Sequence, residues 1–280
     1  MKSIVITSFI VICGVMFSPC HGLDVLEEAK EMEEEIQEPS GEADLAKVAQ
    51  NPVGDLISLP IQNNMSFGSG PDERVLNVMN IQPVYPISMG ENWNLITRTI
   101  LPVQSVPAPG MDRTNGIGDL NFTGFVSPSK PGKWIWGVGP ILVFPTAADE
   151  VLGTDKYSAG PSAVVLTMRG PWVVGGLVSQ WWDYAGDSDA ADVNSFLFQY
   201  FINYNFPSGW YFTSAPIMTA NWNAPSGEKW TIPVGGGFGK IVRWGKVPFN
   251  INSQVFYKLE KPTGGADWEW RFQIQAMFPK

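Results

Sequence analysis

Thiol and imidazole side chains, which carry much of the nucleophilic and metal chemistry of proteins, occur at three positions near the start of the chain. They are Cys13, Cys20 and His21, and the sequence has no other cysteine or histidine. Ser–His and Cys–His mechanisms need an imidazole base, and zinc sites need thiolate or imidazole ligands. Any such chemistry therefore depends on whether the first residues remain in the working protein.

Residues 1–22 are typical of a secretory signal peptide. A basic start, Met1-Lys2, precedes an apolar run over 4–17 and then "SPCHGLDV". The run is shorter than the roughly 20 residues of a spanning helix but suits a signal, with cleavage within 20–22. Lipidation of Cys20 is a weaker alternative, because Pro19 stands where a small residue is expected. Cleavage would leave a chain without Cys or His, so we predict no catalytic residues, no metal site, no cofactor and no disulfide.

Two other motifs could suggest ligand chemistry, and both have a simpler interpretation. The segment "DYAGDSDAAD" brings together four aspartates of a predicted loop, but its spacing matches no EF-hand and we expect solvated side chains. The segment "PVGGGFGK" lacks the following helix of a phosphate-binding loop. Its glycines fall within a predicted strand, where they allow a bend or close packing.

Residues 23–50 form an acidic arm that differs from the rest of the chain. They hold ten acidic and two basic side chains, within a chain whose net charge is −9. Helix formers dominate, Pro39-Ser40-Gly41 interrupts them, and Asn51-Pro52 ends the short helix that follows. The arm is either a periplasmic extension or pore plug, or a solvated acidic tail, which is the commoner fate of such charge blocks.

From Leu56 onward the sequence alternates with a period of two, which predicts β-strands. In the final segment, Trp268, Trp270 and Phe272 share one face with further apolar residues, while Glu269 and Arg271 lie on the other. Most segments reach the 9–11 residues that a tilted strand needs to cross a bilayer. The twelve predicted strands are 56–67, 74–85, 93–105, 117–127, 134–145, 157–168, 172–184, 193–206, 210–222, 230–243, 247–260 and 268–279, with ambiguous phases in 172–184 and 210–222.

The connections between these strands alternate in character. Short ones, such as "PSKPG", "RGP", "PSG" and "GK", alternate with longer polar ones, such as "PAPGMDRTN", "TAADEVLGTDK" and "AGDSDAAD". Outer-membrane barrels have short periplasmic turns and longer external loops. The sorting predicts an all-β fold, a closed antiparallel transmembrane β-barrel of about 12 strands over residues 51–280. A soluble two-sheet protein would explain the alternation but not the sorted loops.

The two faces of the predicted strands assign the side chains to lipid or lumen. Aromatic side chains at strand ends suit the membrane interface: Trp93, Trp134, Trp172, Trp210, Trp222, Trp230, Trp244 and Trp268. The polar face predicts the lumen lining: Arg98, Asp119, Asn121, Gln199, Asn203, Asn250, Asn252, Gln254, Lys258, Glu269, Arg271, Gln273 and Gln275. Twelve strands give a backbone radius of roughly 12 Å, and hence a narrow bore or a closed polar network.

Several long segments resemble a family of bacterial outer-membrane proteins associated with the meta pathway of phenol degradation. They include "LAKVAQNPVGDLISLPIQNN", "GIGDLNFTGFVSP", "GPWVVGGLVSQWWDYAGD" and "FPSGWYFTSAPIMTANWNAPSGEKWTIPVGGGFGK", and the resemblance covers about 44–280. It implies a porin-like, transporter-like barrel that passes small solutes, including aromatic ones. It supplies no catalytic residues, and the acidic stretch before Asp44 is longer than is usual in that family.

We therefore expect a porin-like channel or transporter for small solutes in a Gram-negative outer membrane, and not an enzyme. Its expected partners are outer-membrane lipid, a small-molecule solute and the barrel-insertion machinery. No basic face for nucleic acid is visible. The alternatives are a structural or adhesive barrel without an open pore, a soluble periplasmic β-sandwich binding protein, and a barrel enzyme, which removal of His21 with the signal peptide would disfavour.

Overall fold

The computed structural model describes residues 41–70, 72–107 and 113–278. The predicted signal peptide at 1–22, with Cys13, Cys20 and His21, and positions 23–40 of the acidic arm lie outside the described residues. Gly41–Lys280 form one compact unit. No helix of the described ranges is long and apolar enough to cross a membrane.

Strands make up most of the described chain. One α-helix, α1 (Glu42–Ala49), precedes them, and a 3-10 turn lies at Glu150–Leu152. The strand segments are β1 (Ile57–Ser69), β2 (Arg74–Ile81), β3 (Val84–Ser88), β4 (Trp93–Val106), β5 (Thr114–Ile117), β6 (Leu120–Pro128), β7 (Ile135–Phe144), β8 (Lys156–Arg169), β9 (Trp172–Gly186), β10 (Asn194–Asn205), β11 (Trp210–Ser214), β12 (Ile217–Asn221), β13 (Trp230–Trp244), β14 (Val247–Glu260) and β15 (Trp268–Phe278).

These segments close into a single antiparallel barrel. Neighbours in sequence pair along the sheet, the first strand β1 pairs with the last strand β15, and β9 pairs with β10, so the ladder has no open edge. The pairs β2/β3, β5/β6 and β11/β12 are each one interrupted strand, because both members pair with the same neighbour. The barrel therefore has twelve strands, which confirms the predicted fold class.

The three interruptions were not predicted, although the outer bounds agree with the predicted strands to within three residues. Proline lies in two of the breaks, at Pro83 and Pro216, where it cannot donate a ladder hydrogen bond. Gly118 and Asp119 form the third. At each break a few backbone groups leave the regular ladder and need other partners.

The connections sort by length as predicted. At the end where β1 begins and β15 finishes, the turns are 89–92, 129–134, 170–171, 206–209 and 245–246, each two to six residues long. At the opposite end the fully described loops are 145–155, 187–193, 222–229 and 261–267, each seven to eleven residues long. We call these the short-turn end and the long-loop end.

The outer face of the barrel is apolar and aromatic. On β15 the outward side chains Trp268, Trp270, Phe272, Ile274 and Phe278 are 36–49% exposed. Their inward neighbours Arg271, Gln275 and Met277 are at most 6% exposed. A sheet that met water on this side would not present such a continuous apolar surface, so the outer face fits lipid.

Large aromatic side chains gather at both ends of this surface. Of the predicted interface tryptophans, Trp222 and Trp230 are half-buried and stack against each other at a centroid distance of 5.3 Å. The others are 41–83% exposed: Trp93, Trp134, Trp172, Trp210, Trp244 and Trp268. Ten residues separate Trp172 from the outward Trp182 on β9. At about 3.3 Å per residue and a tilt near 40°, the apolar band is roughly 25 Å tall.

Glycines on the inner face of β13 make room for large side chains. A Cβ at Gly239 would overlap the ring of Tyr211, which is 2% exposed and donates a hydrogen bond to Asn250 Oδ1. The glycine motif that the sequence singled out thus serves close packing inside the barrel.

The substitution Gly239→Ala tests this packing. Because the added methyl must displace the Tyr211 ring, we expect a loss of about 1–3 kcal/mol in the free energy of unfolding. Urea-induced unfolding in lipid vesicles measures this change. Gly132→Ala is the matched control, because its Cβ would meet no atom within 4 Å. Equal stability of the two variants would contradict the packing role.

Two long loops are joined by a carboxylate. Glu228 accepts hydrogen bonds of 2.6 Å from both the backbone N–H and the hydroxyl of Thr263. These bonds favour the ionised carboxylate and hold the pKa of Glu228 below its usual value. Because the folded-state pKa is lowered, the contact is fully formed above the usual pKa of about 4.3 and is lost as the pH falls through the lowered value.

The contact predicts a local pH response at the long-loop end. On acidification below pH ~4, the protection of the Thr263 amide against hydrogen exchange, relative to its intrinsic rate at the same pH, should fall because its acceptor becomes protonated. Amide NMR of the protein in detergent measures it. Glu228→Gln should remove the pH effect. Glu91→Gln, in a turn at the short-turn end, should leave the effect unchanged. A Thr263 response unchanged in Glu228→Gln would count against the contact.

Candidate functional site: the lumen and its helical plug

The helix α1 lies inside the barrel at the short-turn end. Leu45 and Ala46 are 4% and 0% exposed. They form one apolar cluster with residues of the barrel wall and with Leu56: Tyr211, Ile241 and Met277. Burying a leucine side chain is worth about 1.5–3 kcal/mol, so the packing fixes the helix against β10 and β13.

A reciprocal amide pair joins the end of α1 to the wall. Gln50 Nε2 donates to Asn205 Oδ1 at 2.9 Å, and Asn205 Nδ2 donates to Gln50 Oε1 at 3.1 Å. Asn205 Nδ2 also donates to the carbonyl oxygen of Pro171 in a short turn. This bond ties the amide of the wall to the neighbouring turn and orients it for Gln50.

The helix depends on these contacts for its stability. It has eight residues, and Gly41 at its N-cap gives no side-chain hydrogen bond. Isolated helices of this length are marginal in water. Glu42 and Asp44 near the N-terminus and Lys47 near the C-terminus suit the helix dipole, but such terms are worth only tenths of a kcal/mol each. The barrel wall therefore holds α1 in its helical form.

A cavity of about 180 Å³ lies in the lumen beside α1 and the segment that follows it. One side of the cavity is formed by 48–56 of the plug, and the rest by inward side chains of the wall. We define the polar wall as the inward polar residues of β1, β14 and β15, and the apolar wall as the inward apolar residues of β4, β6, β8, β9 and β10.

The polar wall is a hydrogen-bonded chain of amides. Asn250 accepts from the hydroxyl of Tyr211 and donates to Gln275 Oε1 at 3.0 Å. Gln254 donates to Asn252 Oδ1 at 3.2 Å. All four amide side chains are less than 9% exposed. Buried amides that are paired in this way avoid the penalty of unsatisfied polar groups.

Arg271 joins the polar wall to the break between β11 and β12. Its guanidinium donates to Ala215 O at 2.8 Å, to Asn64 Oδ1 at 3.0 Å and to Glu269 Oε1 at 2.9 Å. It also lies 4.7 Å from the ring centroid of Phe256. The side chain of Gln254 accepts from Ala215 N at 3.1 Å. These side chains thus satisfy the backbone groups that the strand break releases.

Arg98 lies near another break. Its Nη2 donates to the side-chain oxygen of Gln82, which stands between β2 and β3. Gln82 is 3% exposed, and its backbone N–H donates to Pro60 O at 2.9 Å. The Arg98 guanidinium therefore contacts a neutral amide, and the backbone hydrogen bond of Gln82 to Pro60 fixes that amide in the wall.

The apolar wall was missed by the sequence analysis. Ile96, Phe125, Leu166, Val173 and Phe201 point inward, are at most 6% exposed and pack into one cluster that also includes Val53 of the plug. The signal was present in the runs "AVVLTM" and "VVGGLV", which are apolar on both faces of β8 and β9. Continuous apolar runs indicate strands buried on both sides, and they also explain the ambiguous phase of 172–184.

The structure brings most of the predicted lumen residues to one cavity. Those that line it are Arg98, Gln199, Asn203, Asn250, Asn252, Gln254, Arg271, Gln273 and Gln275. Glu269 lies next to Arg271, and Asn121 shares the inner face of β6 with Thr123 and Phe125. Lys258 lies further toward the long-loop end, near Glu269 and Asp267. Residues that the prediction did not include, among them Gln62, Gln82, Tyr211 and Thr213, add to the polar lining.

Asp119 has a different place from the one predicted. Its carboxylate accepts hydrogen bonds from the backbone N–H groups of Ala147 and Thr154 and from the Thr154 hydroxyl, at 2.8–3.3 Å. It lies in the break between β5 and β6 and holds the loop 145–155, away from the residues that line the cavity. The alternation of a strand predicted that Asp119 faces inward, but it did not predict this contact with the loop.

The aspartates of "DYAGDSDAAD" make loop contacts as well. Asp183 and Asp187 accept hydrogen bonds from the backbone N–H groups of Val193 and Asp189, and Asp192 lies 3.9 Å from Lys156. Within the described ranges no group of three His, Cys, Asp or Glu side chains is placed to hold a metal ion.

Solved structures share this fold at low sequence identity. An outer-membrane channel from Pseudomonas putida F1 is 16% identical with a TM-score of 0.63, and the match covers 81% of this chain and 97% of that one. The NanC porin is 12% identical with a TM-score of 0.52, covering 79% and 100%. The chain matches no protein-family model and no curated protein. The likeness establishes the architecture of an outer-membrane barrel.

Cysteine labelling tests the placement of α1, since the chain from residue 23 onward has no cysteine. Ala46→Cys should react slowly with a water-soluble maleimide, because position 46 is fully buried, whereas Glu42→Cys, at an exposed position, should react fast. Adding Asn205→Ala removes the reciprocal amide pair and should accelerate labelling at position 46 about tenfold. Equal rates at positions 42 and 46 would show that α1 is not packed inside the barrel.

Proposed function

We propose that the protein is an outer-membrane channel for small solutes whose lumen is closed at the short-turn end by α1. The observation that carries the proposal is the amphipathic cavity beside the helix, inside a closed barrel with an aromatic outer face. A barrel that served only as an anchor would need neither a two-sided lumen nor an internal helix. Outer-membrane lipid and the barrel-insertion machinery are the partners that follow from this location.

The nature of the lumen supports solutes that are small and partly apolar. Apolar side chains such as Phe201 and Leu177 face an amide-rich wall across the cavity. A fully hydrated ion would lose water against the apolar side, whereas a one-ring compound can place its ring there and its polar group on the amides. The resemblance to outer-membrane proteins of phenol degradation points to the same class of small aromatic solutes.

The helix α1, which plugs the short-turn end, controls the passage of solutes in this proposal. Leu45 and Ala46 occupy the space that a solute must cross at the short-turn end, and packing plus one amide pair hold them. A solute can pass when α1 leaves this position or rearranges within it. Because the helix is short and weakly capped, such a step is far cheaper than unfolding a strand.

One observation favours a second candidate, a structural barrel without an open pore. Arg271 has three hydrogen-bond partners in the wall, and the amides of the polar wall bond to one another, as in a packed network that only satisfies buried groups. Such a barrel would stay closed even without the plug. No catalytic role is proposed for either candidate.

Conductance in planar bilayers separates the two candidates. The intact protein should be mostly silent, and Ala46→Asp should give discrete, frequent openings, because a carboxylate cannot stay in the apolar cluster around α1. Glu42→Gln, which changes an exposed charge of the same helix, is the control and should stay silent. A folded Ala46→Asp protein with no conductance would support the closed structural barrel.

A further inference from the structure

The two arginines of the cavity differ in how their charges are compensated. Arg271 is paired with Glu269 at 2.9 Å, is bonded to Ala215 O and Asn64, and packs on the Phe256 ring. Its side chain is 4% exposed. Its charge is thus balanced by a carboxylate, and its donors are directed at groups of the wall.

Arg98 is held by a neutral partner instead. Its guanidinium donates to the Gln82 side chain. Gln82 is itself buried and fixed by its backbone bond to Pro60, so it orients the guanidinium without neutralising it. Both arginines line the same cavity. Arg98 therefore carries a charge that an anion in the cavity would stabilise.

The cavity as a whole has a positive lining. Among the described residues that line it, Arg98 and Arg271 are the charged ones, while Glu269 lies outside the lining. The remaining polar lining is made of neutral amides, hydroxyls and backbone. Anions are favoured in such a site because guanidinium–carboxylate bonds are strong where water is scarce.

The opposite side of the same cavity suits an aromatic ring. Val84, Leu177 and Phe201 line it, and Leu177 and Phe201 belong to the apolar cluster behind it. A cavity on the order of 150 Å³ with apolar walls can hold a benzene molecule, so 180 Å³ is of the right size for one ring with a small substituent.

We propose that this cavity is a binding site for a one-ring aromatic carboxylate, with Arg98 as the specificity-determining residue. The carboxylate takes two N–H donors of the Arg98 guanidinium in the fork geometry that lysine cannot offer. The ring lies against Phe201 and Leu177. The proposal rests on the proposed channel function and names the solute class that the closed state retains beside α1.

Binding of benzoate to the folded protein in detergent micelles tests the site. Benzoate should bind measurably tighter than benzamide, which has nearly the same shape and no charge. Arg98→Gln should weaken benzoate binding by about 10- to 100-fold and leave benzamide binding unchanged. Arg98→Lys should recover only part of the loss. Arg169→Gln removes an exposed arginine outside the cavity and should bind as the wild type does.

A second variant keeps the test decisive if Arg98→Gln does not fold, which circular dichroism and heat-modified gel mobility report. Phe201→Ala removes the ring contact and should weaken benzoate binding while acetate binding stays the same. Equal binding of benzoate and benzamide to the wild type, or unchanged benzoate binding in folded Arg98→Gln, would overturn the proposal.

Conductance of the Ala46→Asp protein tells this failure apart from failure of the channel. A conducting pore that shows no preference for benzoate would contradict the carboxylate site and support the channel. A silent barrel whose benzoate binding depends on Arg98 would support the site and contradict the channel.

Discussion

Closure of the backbone ladder is the constraint on which the rest of this structure depends. In hydrocarbon each unpaired N–H or C=O costs several kcal/mol, so strands can cross a membrane only if every edge is joined. Here β1 joins β15 and β9 joins β10. The three strand breaks release backbone groups inside the closed ladder. At Ala215 the lumen side chains of Gln254 and Arg271 replace the missing partners. These two side chains of the polar wall therefore complete the backbone hydrogen bonding of that break, and Arg271 brings its charge into the lumen in doing so.

A similar constraint explains the position of α1, the helix that plugs the lumen. A second apolar cluster of the barrel wall, formed by Tyr211, Ile241 and Met277, lies at the short-turn end and would meet water without α1. The helix covers this cluster, and the cluster in turn supplies the packing that so short a helix lacks. Helix and cluster thus depend on each other, and α1 is held by one apolar cluster and one amide pair rather than by a strand ladder.

The sequence predicts the parts of the fold that rest on local periodicity. The alternation in β15 gives its inner and outer faces because each residue has only two directions to point. The signal fails where both faces are apolar, as in 172–184, since period two then carries no contrast. It fails again at the breaks, although Pro83 and Pro216 marked two of them. Contacts between distant segments, such as Arg98 with Gln82 or Gln50 with Asn205, have no local signal at all. For the same reason the pattern of 42–49 predicted a helix but did not decide between a plug and a solvated tail.

The two-sided lumen also limits what could move through it. A narrow barrel leaves a solute in contact with both walls at once, so its free energy depends on orientation as well as on size. A polar group that faces Phe201 would lose its hydration and gain no hydrogen bond in return. If the same group faces Asn252 or Gln275, hydrogen bonds to amides replace those to water. A ring has the opposite preference. A solute with one apolar and one polar side can therefore make favourable contacts with both walls. A wholly polar solute is desolvated against the apolar wall without compensation. Selectivity in such a lumen arises first from the arrangement of the two walls, to which the proposed carboxylate site at Arg98 adds a preference for anions.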